Sequence, residues 1–279
     1  MQDSRSTYEE IVTPSSPTSS REWNSSEYHR LSGPQVSWGR KVLARLQLDG
    51  DETLLDAGCG TGRLTAELLE ALPNGRVVAL DVSQNMLRTA REYLQPRFGK
   101  RAQFVAADLP DLPFENVFDG IVSTAAFHWV MDHDRLFRNL YRSLRPGGWL
   151  QAQCGGDANI ARLRERMTRL ASYPPFAPCL ASFPSPWFYQ NAEGAADTLR
   201  RAGFVEVETG LEPAPTVMEG RRQYEEFVRT VIVRAHLDRL PGAELRGQYV
   251  SQLADLAARD DPPFLLDYWR LNLAAKKPV

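Results

Sequence analysis

Leu54-Leu55-Asp56-Ala57-Gly58-Cys59-Gly60-Thr61-Gly62 is an apolar run that turns abruptly into a glycine loop. Residues 53–55 read as a short buried strand, and residues 64–72 place apolar side chains at helical spacing, so the loop joins a strand to a helix. Glycines at such a junction allow positive φ and close backbone approach, and the helix start offers free N–H groups. At the carboxyl end of a parallel strand, this arrangement suits a nucleotide-like ligand. A dinucleotide loop would need Gly-x-Gly-x-x-Gly, but here Gly58, Gly60 and Gly62 run on to Arg63, so the third glycine comes too early. No Gly-Lys-Ser/Thr sequence is present, which excludes an ATP-type phosphate loop.

Outward from the loop the pattern alternates. Strands are expected at 77–80, 103–106, 118–123 and 149–153, and helices at 85–94 and 134–144, with turns at Asn74-Gly75 and Pro146-Gly147-Gly148. Continuous apolar strands between amphipathic helices predict an α/β fold with a mostly parallel sheet covered on both faces. Upstream, a helix is expected over 34–46. Downstream, helices are expected at 160–170, 192–202, 224–240 and 245–259, and strands at 203–208 and 264–275, with a proline- and aromatic-rich segment over 173–189.

Two aspartates follow strands in the same way as the loop. Asp81 ends the second strand, where a carboxylate can accept from both hydroxyls of a ribose. Asp108 ends the third, placed to accept from an adenine amino group while Leu109 lines the ring. A lone glycine loop is often only a tight turn, and a lone aspartate only a helix cap. Three such features at the ends of three consecutive strands point to one shared site.

The chain of 279 residues can bury one enlarged domain or two small ones, and its 43% apolar and 24% charged content is ordinary for a globular protein. A formal charge of −2 gives no reason to expect nucleic acid. Cys59, Cys154 and Cys179 are odd in number and far apart, and no histidine sits beside them at ligand spacing, which argues for reduced thiols in the cytoplasm and against a zinc site. There is no signal-peptide pattern and no apolar run near the roughly 20 residues that span a bilayer. The first 26 residues hold eight serines and two prolines, so a flexible tail is expected over 1–22. Residues 23–153 then read as the ligand-binding core with an N-terminal lid, and 154–279 as helical cap insertions plus the last two strands of the same sheet.

These residues together resemble the class I S-adenosylmethionine-dependent methyltransferases. Residues 54–62 are similar to their first motif, 77–81 to their acidic second strand and Ala107-Asp108-Leu109 to their adenine motif. Leu144-Arg145-Pro146-Gly147-Gly148 resembles the approach to their fifth strand, and Leu-Arg-Arg-Ala-Gly-Phe over 199–204 matches the helix end before their sixth. The resemblance implies a Rossmann-like, doubly wound, seven-stranded sheet whose antiparallel seventh strand is 268–275. It also implies S-adenosyl-L-methionine as cofactor, bound by Gly58, Gly60, Asp81 and Asp108, with Asp56, Val82, Met86 and Leu109 as further contacts. A non-catalytic cofactor-binding protein is the reading from another class, and the intact motif set argues against it.

The core alone does not fix the acceptor. No Asn/Asp-Pro-Pro-Tyr/Phe sequence follows the fourth strand, which disfavours amino-group methylation of nucleobases. Instead the chain reads Phe127-His128-Trp129-Val130. This is similar to the trans-aconitate and juvenile hormone acid methyltransferases, which esterify carboxylates and whose N-terminal segment carries substrate contacts. The resemblance implies Gln35 and Trp129 as carboxylate donors and Tyr28 and His128 as neighbours of a small-molecule acceptor. An ionised carboxylate needs no general base. The competing reading is methylation at carbon, nitrogen or a hydroxyl, with His29 as base, or of a phosphorylated metabolite met by Arg221-Arg222. For Gln35 the plain alternative is an exposed helical side chain, for His128-Trp129 a packing pair, and for Arg221-Arg222 a solvated helix start. Oligomeric state is not legible.

Overall fold

A computed structural model of the chain describes residues 22–279; the expected tail, apart from Glu22, lies outside them. A short helix α1 (Ser25–Leu31), capped by the Asn24 side chain accepting from the Glu27 N–H, precedes α2 (Gly33–Leu43). The regular alternation follows as β1 (Thr53–Ala57), α3 (Arg63–Ala71), β2 (Arg76–Asp81), α4 (Gln84–Phe98), β3 (Ala102–Ala106), β4 (Phe118–Thr124), α5 (His133–Ser143) and β5 (Leu144–Gly155). Every residue of β1 is buried, as expected of a strand covered on both faces. The second half contributes α6 (Ala161–Ala171), α7 (Ala177–Leu180), α8 (Ala192–Arg201), β6 (Val205–Pro213), β7 (Thr216–Val217), α9 (Arg221–Phe227), α10 (Arg234–Leu237), α11 (Gly242–Ala257), β8 (Leu265–Leu266) and β9 (Trp269–Lys276).

Seven strands form one sheet in the order β3-β2-β1-β4-β5-β9-β6. The first five pair in parallel, with Leu55 opposite Val78 on one side and Ile121 on the other. β9 runs antiparallel between β5 and β6, so the sheet is the expected Rossmann-like, doubly wound one with its last strand inverted. Alternation along the strands sends Leu55, Val78 and Ile121 into the core shared with α5 and α8. Leu54, Val77 and Val122 point to the opposite face, under α2, α3 and α4. A third cluster around Phe176, Tyr224, Tyr249 and Leu253 fills the cap. The order reverses between β1 and β4, and ligands of open α/β sheets bind at that switch point.

Several elements differ from the sequence reading, among them α7 and β7, which it did not include. The helix expected over 224–240 breaks into α9, a π-helical turn over Val228–Ile232 and α10. Val228, Val231, Ile232 and Val233 form a β-branched run that weakens α-helical packing of the backbone. The strand expected over 264–275 is split: β8 pairs with β7 in a separate two-stranded ladder before β9 joins the main sheet. Finally, α1 has no apolar periodicity in the sequence and was not expected as a helix. Among the described residues no helix is long and apolar enough to cross a membrane, no group of His, Cys, Asp and Glu side chains could hold a metal, and the three cysteines are unpaired.

Candidate active site

Gly58, Gly60 and Gly62 take φ values of 88°, 55° and 80°. The Gly58 and Cys59 N–H groups both donate to the Leu80 carbonyl, at 2.8 and 2.9 Å, folding the loop across the end of β2. A Cβ on Gly58 would lie 2.4 Å from the Ala126 Cβ, whereas one on Gly60 would meet nothing nearer than Tyr28 Cε1 at 4.0 Å. The loop is therefore closed against the turn that follows β4 and open above Gly60. Asp81 is held in place by accepting the Gly60 N–H on Oδ2 and the Ser83 N–H on Oδ1, each at 2.9 Å. Burial pushes its carboxyl upward and Glu22 adds to this, against the backbone N–H groups of Ser83, Gly60 and Val82. Glu22 itself accepts from Ser83 Oγ, Gln84 N–H and Asn85 N–H at the start of α4.

A cavity of about 850 Å³ extends from this loop toward the cap. Gly58, Gly60, Asp81, Val82, Met86, Asp108 and Leu109 line one end, giving a carboxylate for a ribose, an acid for an adenine edge and apolar walls for its ring. The residues present thus fit S-adenosylmethionine. Asp56 lies off the cavity wall. It is 3% exposed, accepts the Thr65 hydroxyl at 2.6 Å, and burial pushes its carboxyl up to about 6, despite that hydrogen bond. Its contact is with the helix that follows the loop.

At the other end the wall includes Tyr28, Gln35, His128 and Trp129. Gln35 is on the inner side of α2, and its Oε1 is buried with no hydrogen-bond partner. Trp129 closes the 3-10 turn Phe127–Trp129 after β4 and packs edge-on against Trp23 (5.3 Å between centroids) and Trp187 (5.9 Å). His128 accepts the Gly155 N–H on Nδ1 at 3.3 Å, so the proton of the neutral ring sits on Nε2. Burial, with Arg270 and His133 nearby, holds its pKa well below the usual histidine range. It can donate, but it is a poor base.

His29 is not on the wall. Its Nδ1 faces the Thr61 hydroxyl at 2.8 Å, outside the cavity, because α1 turns that side chain toward the back of the glycine loop. Tyr28, the next residue, faces inward, and burial pushes its hydroxyl up to about 12. Arg221 is also elsewhere, in surface ion pairs with Asp255 (2.6 Å) and Glu225 (2.8 Å) at the start of α9. Sequence reasoning missed the wall residues Trp38, Tyr189 and Arg270, which come from three distant stretches.

This sheet, with this loop and these two aspartates at its switch point, defines a class I S-adenosylmethionine-dependent methyltransferase. A methyltransferase-domain family matches residues 54–148. The chain is 30% identical over 231 residues to the trans-aconitate 2-methyltransferase of Deinococcus radiodurans, covering 80% of this chain and 85% of that one. It is 29% identical over 273 residues to the enzyme of the same name from Methylobacterium nodulans, covering 92% and 98%. The chain belongs to the methyltransferase family that contains these trans-aconitate 2-methyltransferases. Among solved structures, phosphoethanolamine N-methyltransferase 2 of Haemonchus contortus, in complex with S-adenosylhomocysteine, superposes with a TM-score of 0.61 at 19% identity, covering 91% of this chain and 57% of that one. Geranyl diphosphate C-methyltransferase of Streptomyces coelicolor gives 0.51 at 14%, covering 87% and 76%. At such identities these two show the fold alone.

Asp81 offers a direct test of the cofactor end. Losing a charge-assisted hydrogen bond costs about 1.5–3 kcal/mol, so Asp81→Ala should weaken S-adenosylhomocysteine binding by roughly tenfold or more. Calorimetry that returned the wild-type affinity would remove Asp81 from the site.

Proposed function

We propose that the enzyme transfers the methyl group of S-adenosylmethionine to a carboxylate of a small organic acid, giving a methyl ester. The observation that carries this is a set of hydrogen-bond donors at the acceptor end of the cavity, where the one histidine of the described wall is a poor base. The Trp129 indole and the Gln35 amide have no hydrogen-bonded side-chain partner among the described residues, and neutral His128 presents Nε2–H. The relatives named for trans-aconitate support the same acceptor class. The cofactor, when bound, supplies a methyl on a positively charged sulfur. Trp129 and Gln35 hold the ionised acid by donating N–H groups, which orient it without protonating it. The aromatic wall around Trp129 excludes water, and alignment in a dry site supplies the rate. An ionised carboxylate gives up no proton, so this chemistry asks nothing of His128 as a base, which its depressed pKa suits. Methylation of a hydroxyl or carbon acid would require one, and His29 points to Thr61.

Trp129→Phe and Gln35→Ala should each lower kcat/KM by roughly ten- to a hundredfold, the loss for a donor to a charged group, with cofactor affinity kept within about twofold. His29→Ala should do far less. Rates measured between pH 5.5 and 8.5 on a tricarboxylate acceptor such as trans-aconitate should show no rise through a histidine-like pKa. A crippled His29 variant beside near-normal Trp129 and Gln35 variants would overturn the carboxylate reading.

A further inference from the structure

The cavity wall carries a positive charge that nothing among the described residues balances. Arg270, the second residue of β9, is 2% exposed, and its Nε and Nη2 have no hydrogen-bond partner. The guanidinium lies over the Trp38 ring, 4.5 Å from its centroid, which fixes its plane but satisfies none of its N–H groups. Its pairing partner across β6 is Glu212, yet that carboxylate is taken by Lys41 at 2.8 Å and Arg45 at 3.8 Å. The groups close enough to feel its charge are Tyr28, Tyr189, Tyr268, His128 and Cys154, all neutral at physiological pH. Burial disfavours the charge, but a guanidinium does not give up its proton in a protein. A buried cation with no anion is among the costliest arrangements a fold can hold. Because Arg270 opens onto the same cavity as Gln35 and Trp129, the missing anion comes from what that cavity binds.

We propose that Arg270 is the anchor for a second carboxylate of the acceptor, one that is not methylated, and so selects di- and tricarboxylates over monocarboxylates. The planar fork of a guanidinium matches a carboxylate in bidentate fashion. Arg234 and Arg239 line the same cavity nearer the cap. Arg234 is 3.9 Å from Asp238 and Arg239 lies over Phe183, so both are already engaged and less demanding of an anion than Arg270. The proposal rests on the carboxylate-acceptor reading above, which it extends from the reacting group to the rest of the molecule.

The test compares wild type with Arg270→Met, which keeps an unbranched apolar stem and removes the guanidinium with its charge. With labelled S-adenosylmethionine, kcat/KM on trans-aconitate should fall about a hundredfold or more, mostly in KM, since one side of a buried charge pair is lost. On crotonate, a monocarboxylate, the already low rate should change by no more than about threefold, so the preference collapses. Affinity for S-adenosylhomocysteine should hold within about twofold. Independently of turnover, propane-1,2,3-tricarboxylate should raise the Tm of the S-adenosylhomocysteine-loaded wild type and leave the variant's unchanged, while the ligand-free variant is at least as stable as wild type. Arg270→Lys, which keeps a charge without the fork, should fall between the two and secures the comparison if the methionine variant folds poorly. Unchanged selectivity with tenfold weaker S-adenosylhomocysteine binding would assign Arg270 to the cofactor's own carboxylate and overturn the proposal. A large loss of stability with unchanged selectivity would overturn it as a structural arginine. If no carboxylic acid is methylated but the tricarboxylate still stabilises wild type alone, the acceptor reading fails and the anchor stands.

Discussion

Gly58→Val should lower affinity for S-adenosylmethionine by about a hundredfold or more. Two costs add. The residue sits at φ 88°, a conformation that charges a side chain roughly 1–2 kcal/mol. Its Cβ would also come within 2.4 Å of the Ala126 Cβ, and a Cβ has no rotamer by which to move aside, so only backbone movement relieves the clash. Relief requires the loop to lift away from the end of β4, which breaks the paired hydrogen bonds to the Leu80 carbonyl and tilts the Gly60 N–H off Asp81. A combined strain of about 3 kcal/mol corresponds to the stated factor. Gly60→Ala is the control. Its φ of 55° is within reach of an ordinary residue and the space above it is open, so the loss should stay near the several-fold range. Calorimetric affinities in the opposite order would show that close approach of the cofactor to Gly60, and not the seating of Gly58 against Ala126, limits binding.

The second large effect concerns the N-terminal segment. A protein beginning at Val36 should lose about a thousandfold or more in kcat/KM, because it lacks Trp23, Tyr28 and Gln35 together, and with them the dry, aligned setting for transfer. The segment is tied at both ends. Glu22 caps the start of α4, Ser25 Oγ accepts from Thr89, and Arg30 pairs with Glu226 of the cap. Cofactor affinity should fall much less, since Gly58, Gly60, Asp81 and Asp108 remain. Near-normal turnover by the shortened protein, measured with the same labelled-methyl assay, would show that α1 and the start of α2 do not form the acceptor wall. A protein beginning at Arg21 should be fully active.

The contrast between these two ends of the cavity also explains what could be read from the amino acids alone. The cofactor half was legible because its parts are local: a buried strand, a glycine loop and a helix lie within 20 residues of each other, and Asp81 and Asp108 each follow a strand directly. The acceptor half is assembled from residues far apart, and only Tyr28, Gln35, His128 and Trp129 carried a local signal by family resemblance. His29 illustrates the limit. It adjoins an inward-facing tyrosine, but successive side chains on a helix point about 100° apart, and α1 has no apolar stripe to say which faces in. The π turn was hidden for a similar reason, since its residues satisfy a helical pattern on average while the backbone departs from it. Arg270 left no trace: in the alternating run Trp269 to Ala275 it shares the polar phase with Asn272, between the core positions Leu271, Leu273 and Ala275, so the pattern predicts an exposed arginine. Nothing in the pattern said that its partner would be missing.

The placement of β9 has a consequence for the order in which the enzyme becomes competent. Gln153 and Asn272 are neighbours across the sheet but 119 positions apart along the chain, and closing so long a loop is a late, slow event in folding. The loop and the aspartates of the cofactor end are complete once β1 to β4 have paired in parallel. Arg270 arrives only when β9 slots between β5 and β6. If Arg270 is the anchor proposed above, the methyl donor's seat rests on local strand pairing and the choice of acceptor on the longest-range one, so loosening β9 should blunt selectivity before it weakens cofactor binding.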